Sequence, residues 1–101
     1  MQGLTALSDP TRQRIVEILA SGPLCAGDIA ERFAITAPAI SQHLKTLREA
    51  KLVRVTPQAQ KRVYELNPEG VLALAEWVER LRRFWAVKLD ALETELKKDA
   101  P

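Results

Sequence analysis

The sequence predicts a mainly α-helical domain that carries one β-hairpin and ends in a long helix. Three observations carry that prediction. Apolar residues recur at helical spacing in successive segments before residue 50. Between 52 and 66 the pattern shifts to that of strands. From 68 to 98 a helical pattern continues for about 46 Å at 1.5 Å per residue, far longer than a compact domain with a radius of gyration near 13 Å.

The elements follow in chain order. A short N-terminal helix is expected around "TAL", residues 5–7. In "SDPTRQRIVEILASG", Ser8 or Asp9 can cap a helix, and Pro10 suits its first turn, where its missing amide proton would have no partner. Ile15, Ile18 and Leu19 share its apolar face, and Gly22 with Pro23 ends it. "CAGDIAERFAI" reads as a short helix whose apolar side is Ile29, Ala30 and Phe33. A link of three residues, 34–36, leads to the next helix, about 37–49. Thr36 is a good cap for it, and Pro38 is tolerated in its first turn. Ile40, Leu44 and Leu47 must face the core. The opposite face holds Pro38, Ala39, Ser41, Gln42, Lys45 and Arg48, with His43 near its edge.

"KLVRVTPQAQKRVYELNP" reads as a hairpin over about 52–66 with its tip near 57–60. In the last segment Asn67 caps the long helix, Pro68 takes its first position and Glu69 its first turn. Lys97 and Lys98 suit the negative end of its dipole. Gly70 is tolerated there as a residue near the helix start. One domain is expected over 1–98, with disorder only in 99–101.

Composition bounds the function. Hydrophobic content of 47% and charged content of 28% fit a soluble globular chain. No apolar run approaches the ~20 residues of a membrane helix. "MQGLTALSDP" lacks the basic and apolar blocks of a signal peptide, so a cytoplasmic location is expected. The single cysteine excludes an intrachain disulfide and fits a reducing compartment. Net charge is only +2, but residues 41–64 carry six bases (Lys45, Arg48, Lys51, Arg54, Lys61, Arg62) against one acid, Glu49. A basic stretch inside a near-neutral chain is the footprint of nucleic-acid binding.

Two short helices followed by a basic hairpin form the winged helix-turn-helix layout. The first helix of the pair props the second, which offers its polar face to the major groove. Ser41, Gln42 and His43 can bond base edges, Lys45 and Arg48 can meet phosphates, and Pro38 and Ala39 can touch a thymine methyl. Thr36 and Ala37 open this surface, and Gln60, Lys61 and Arg62 of the hairpin extend it along the backbone. The long helix has a continuous apolar face: Leu74, Trp77, Val78, Leu81, Phe84, Trp85, Leu89 and Leu92. A monomer would expose it to water, so a homodimer is expected, with Leu4 and Leu7 joining the seam.

The sequence also resembles a known family. "ALSDPTRQRIVEIL", "APAISQHLKTLREAKLV" and "RVYEL" look like the ArsR-type winged-helix repressors of bacteria, and "RRFWAVKLDALETEL" is similar to the last helix of a subgroup. The resemblance implies a homodimer that represses promoters from a double-stranded DNA operator and is released by an effector, which the residues do not identify. Metal-sensing members carry several cysteines where "PLCAGDIA" has only Cys25; the other positions are Gly27 and Ala30. Other members bind metal on the last helix through histidine, and this one has none there. Neither a metal nor a cofactor is therefore expected. The wing tip, "TPQAQKR", lacks the usual glycine, so a tight turn with positive φ is not expected and a longer tip is. Ala37 and Ala39 stand where members often have Gln or Ser, which reduces direct base readout.

Competing readings fail on chemistry. His43 as a catalytic base lacks a nucleophile or carboxylate partner in the pattern, so no enzyme is expected. Cys25 can be a buried inert side chain or a thiol sensor, and is the single candidate for the latter. A winged-helix protein–protein module has little use for six bases against one acid.

Overall fold

A computed structural model describes residues 2–98; the tail expected to be disordered, 99–101, lies outside the described residues. The elements are α1 (Gln2–Ala6), α2 (Pro10–Leu19), β1 (Leu24–Cys25), α3 (Ala26–Ala30), α4 (Ala37–Glu49), β2 (Val53–Gln58), β3 (Lys61–Leu66) and α5 (Pro68–Lys98). The fold is a helical cluster with a small antiparallel sheet on one side and α5 projecting from it. The radius of gyration is 18.2 Å and the extents are 63 × 28 × 21 Å, well beyond the ~13 Å of a compact chain of this length.

Each helix start has its chemical reason. The Asp9 carboxylate accepts from the Arg12 amide at 3.0 Å, and Pro10 fills the first position of α2. Asp9, rather than Ser8, is therefore the cap. Thr36 Oγ1 accepts from the Ala39 amide at 3.2 Å and starts α4. Asn67 Oδ1 accepts from the Glu69 amide at 3.1 Å and starts α5. The core gathers the residues that helical spacing selects: Ile15 and Leu19 of α2, Ile29 of α3, and Ile40, Leu44 and Leu47 of α4. Leu52, Val53 and Tyr64 close it from the sheet side.

Four expectations change. First, the sheet has three strands in the order β1-β3-β2, because Leu24 and Cys25 pair with Tyr64 and Val63. Second, α3 stops at Ala30, where the sequence suggested a helix through Ile35. The chain leaves it in tighter turns, Arg32 N–H to Ile29 and Phe33 N–H to Ala30, which bring Phe33 against the core. Third, the wing tip is short. The ladder runs out to the Gln58–Lys61 pair, leaving only Ala59 and Gln60 in the turn. Ala59 takes φ +55, the left-handed conformation that glycine usually supplies. The reason is register: Val53 opposite Leu66 and Val55 opposite Tyr64 are fixed by burial at the other end, so the ladder dictates the tip. Ala59→Gly is expected to raise stability by about 1 kcal/mol through relief of that strain, measured by urea unfolding. Unchanged stability would mean that Ala59 is not held at positive φ.

The fourth change concerns Gly70. α4 ends with Lys51 at φ +62, with Leu52 N–H bonded to Leu47 O at 3.0 Å and Lys51 N–H to Arg48 O at 3.0 Å. This is the Schellman arrangement, with lysine in the place of glycine. The Lys51 carbonyl then accepts from the Gly70 amide at 3.1 Å, so the end of α4 caps the start of α5. A Cβ on residue 70 would overlap the Lys51 carbonyl carbon and oxygen. Gly70 is required there, not merely tolerated.

Candidate nucleic-acid interface

α4 has two faces with different tasks. Ile40, Leu44 and Leu47 are 1%, 1% and 0% exposed and anchor it. Ala37, Pro38, Ser41, Gln42, Lys45 and Arg48 lie exposed along the other side, while Ala39 is half-buried. Thr46 Oγ1 donates to Gln42 O at 3.2 Å, a bond to backbone that leaves the Gln42 amide group unengaged among the described residues. Lys45 and Arg48 make no ion pair among the described residues. The surface is thus a row of small polar and cationic groups with hydrogen-bonding capacity to spare, on a helix held rigidly from behind.

His43 sits apart from that row. Its side chain is 21% exposed and turned towards α2. Arg12 Nη1 donates to His43 Nδ1 at 3.2 Å, and Asp9 Oδ2 lies 3.9 Å from the same nitrogen. Asp9 titrates below the ordinary carboxylate range, chiefly because its carboxylate accepts the Arg12 amide, with the field of His43 adding to the effect. With the folded-state value depressed, the stabilisation that Asp9 gives is present above its ordinary value. It is lost as pH falls through the lower folded-state value. Arg12 and Asp9 are residues that motif reading passed over; "SDPTR" beside the only histidine was the signal available.

On the wing, Gln60, Lys61 and Arg62 are exposed at the tip, and neither base is ion-paired among the described residues. Two of the six bases counted in the sequence are engaged elsewhere. Arg54 Nε meets Glu65 Oε1 at 2.8 Å, directly across the ladder, and Lys51 Nζ meets Glu69 Oε1 at 3.3 Å.

Cys25 is half-buried at the junction of β1 and α3, with its thiol donating to Asp28 Oδ2 at 3.1 Å. Among the described residues no three His, Cys, Asp or Glu side chains stand close enough to hold a metal ion, and no helix is long and apolar enough to cross a membrane.

The apolar side of α5 lies open. Val78, Leu81, Phe84, Trp85, Leu89 and Leu92 are all exposed, Phe84 by 64%. Phe84 and Trp85 meet edge-on at 5.4 Å, with the Lys88 ammonium over both rings. Leu4 is exposed, while Trp77 is half-buried. Leu7 and Leu74 are half-buried too, and pack against the chain's own core.

Comparison with known proteins matches this arrangement. The model of "Bacterial regulatory protein, arsR family" matches residues 9–55, from the α2 cap through α4 into β2. The HTH-type transcriptional regulator Rv2034 of Mycobacterium tuberculosis is 49% identical over 80 residues, covering 79% of this chain and 72% of that protein. The transcriptional repressor SdpR of Bacillus subtilis is 40% identical over 73 residues, covering 72% and 81%. A crystal structure of a possible transcriptional regulator for arsenical resistance superposes with a TM-score of 0.74 at 36% identity, covering 94% of this chain and 96% of that one. With a relative nearly half identical across most of its length and the same helix-turn-helix and wing in place, this chain belongs to the arsR family of bacterial regulatory proteins.

Proposed function

We propose that this protein is a homodimeric, sequence-specific transcriptional repressor acting in the cytoplasm, with residues 1–98 forming a single DNA-binding unit. The observation that carries it is the exposed face of α4. A helix pinned by three buried residues presents Ser41, Gln42, Lys45 and Arg48 with no partner of their own among the described residues. α4 enters the major groove with its N-terminal half, from Thr36, Ala37 and Pro38 onward, closest to the bases. Gln60, Lys61 and Arg62 of the wing hold the backbone. Repression is the sign favoured by the name of the Bacillus subtilis relative. Two copies related by two-fold symmetry place their reading helices about one DNA turn apart, roughly 34–36 Å, or a multiple of it.

The two parts of this surface fail differently. Gln42→Ala or Ser41→Ala is expected to lower operator affinity by ~1–3 kcal/mol for each base-edge hydrogen bond removed, with binding to random DNA nearly intact. Changing Lys61 and Arg62 to alanine weakens binding to every sequence and reduces the slope of log affinity against log salt by about one for each phosphate no longer neutralised. Fluorescence anisotropy over a salt series measures both. An unchanged slope would remove the wing from the interface. Titration with zinc, cadmium or arsenite is expected to leave operator affinity unchanged, since one cysteine per chain cannot build a thiolate shell. A tightly bound stoichiometric metal that changes that affinity would overturn this.

A further inference from the structure

Arg12 has three separate engagements. Its backbone amide is bound by Asp9, its Nε donates to the Ala6 carbonyl at the end of α1, and its Nη1 donates to His43 Nδ1 at 3.2 Å. The first fixes the backbone at the start of α2 and the second holds the guanidinium in place; the third reaches α4 from 31 positions away in the chain. Arg12 can only donate, so His43 Nδ1 must be the unprotonated nitrogen and the ring proton must sit on Nε2. Nε2 bonds nothing among the described residues. No buried side-chain nitrogen or oxygen among them lacks a partner, so Nε2 is open to solvent.

We propose that Arg12 is a positioning residue for DNA binding: it holds His43 as the Nε2–H tautomer, so that this N–H donates to a DNA phosphate beside α4. The proposal rests on α4 being the DNA-reading helix. A phosphate is the acceptor that fits. The ring stands on the α2 flank of α4, off the exposed row, and the flank of a helix in a groove faces the phosphates of the groove wall. A cation bonded to Nδ1 also draws charge from the ring and strengthens Nε2–H as a donor to an anion. Among the described residues, Asp9 at the cap of α2 and Arg12 within it are the charged groups that face the ring. Its helical neighbours Ala39, Ile40, Thr46 and Leu47 carry no charge. Asp9 alone would favour the opposite tautomer, with Nδ1–H directed at its carboxylate. Arg12 therefore decides between the two.

The single histidine makes the test direct. Ring nitrogen NMR at about pH 8, where an ordinary imidazole is neutral, is expected to show one Nε2–H tautomer in the wild type and a shift towards Nδ1–H in Arg12→Met. Arg12→Met and His43→Phe are each expected to weaken DNA binding about tenfold, and the double variant no further, because both remove one hydrogen bond to a charged acceptor. His43→Gln, which can place an amide N–H where Nε2–H was, restores most of that loss. The salt slope of His43→Phe stays at the wild-type value, because a neutral donor releases no counterion. A merely structural role would produce the tautomer shift but not the glutamine rescue. A wild-type Nδ1–H tautomer, a changed salt slope in His43→Phe, or wild-type affinity in both single variants would overturn the proposal while leaving α4 as the reading helix. Wild-type protein that binds no duplex DNA would overturn both.

Discussion

Gly70→Ala is expected to destabilise the protein by about 3 kcal/mol, among the largest effects of any single methyl group in this chain. The added carbon has nowhere to go. It meets the Lys51 carbonyl carbon and oxygen, and the Ala50 carbonyl oxygen stands 3.1 Å away. These are backbone atoms locked by the turn that ends α4, so no side chain can swing aside to relieve the overlap. Relief requires α5 to lift off, which breaks the bond from the Gly70 amide to the Lys51 carbonyl and strips Val71 and Leu74 from the core. Gly27→Ala is the control. Nothing lies within 4 Å of its added carbon, and an alanine in α3 should be neutral or stabilising by up to ~1 kcal/mol. Urea unfolding of the two variants at one protein concentration compares them directly. Equal stability would mean that the joint between α4 and α5 is looser than this geometry.

Leu81→Glu is expected to dissociate the dimer and abolish tight operator binding. Along α5 the apolar residues Leu74, Val78, Leu81, Trp85, Leu89, Leu92 and Leu96 recur in an eleven-residue pattern. That repeat averages about 3.67 residues per turn, close enough to 3.6 that the stripe stays on one face of a nearly straight helix. Leu81 is 40% exposed in the single chain and lies mid-stripe. In a symmetric seam each substitution occurs twice, and an unpaired carboxylate taken out of water costs several kcal/mol. A loss of 3–5 kcal/mol is about 100-fold to several thousand-fold in the dimer dissociation constant. Sedimentation at micromolar concentration is expected to give about twice 11.3 kDa for the wild type and 11.3 kDa for the variant. A monomeric wild type would remove the seam. Since Leu81 is exposed in its own chain and lies outside the core, the variant's secondary structure should survive, which separates loss of assembly from loss of fold.

How far the sequence could be read depended on the range of each interaction. α4 was legible because its signals are local: Thr36 and Pro38 at the start, and Ile40, Leu44 and Leu47 along one face. α5 was legible from its cap and its period. β1 was not, because two residues hold no period and become a strand only against Tyr64 and Val63. The end of α3 was missed because Glu31 and Arg32 are good helix formers; packing of Phe33 decides it. The turn at Ala59 breaks a local preference because register at the buried end of the hairpin overrides it. Within the candidate site, the exposed row of α4 and the bases of the wing tip were read directly. The tie from Arg12 to His43 and the clash that fixes Gly70 arise between residues far apart in the chain. Spacing alone cannot disclose them.

The joint at Lys51 also has a mechanical consequence. The Lys51 and Leu52 carbonyls, with the Lys51–Glu69 ion pair beside them, connect a helix of 13 residues to a lever of 31. A rotation of about 10° at that pivot sweeps the far end of α5, roughly 46 Å away, through about 8 Å. The gearing also works in reverse. In the proposed dimer, two protomers clamped to each other along their levers have little angular play at the pivots. In that proposed dimer the angle between the two α4 helices, and with it the half-site spacing that would fit, is set tens of ångströms from any base.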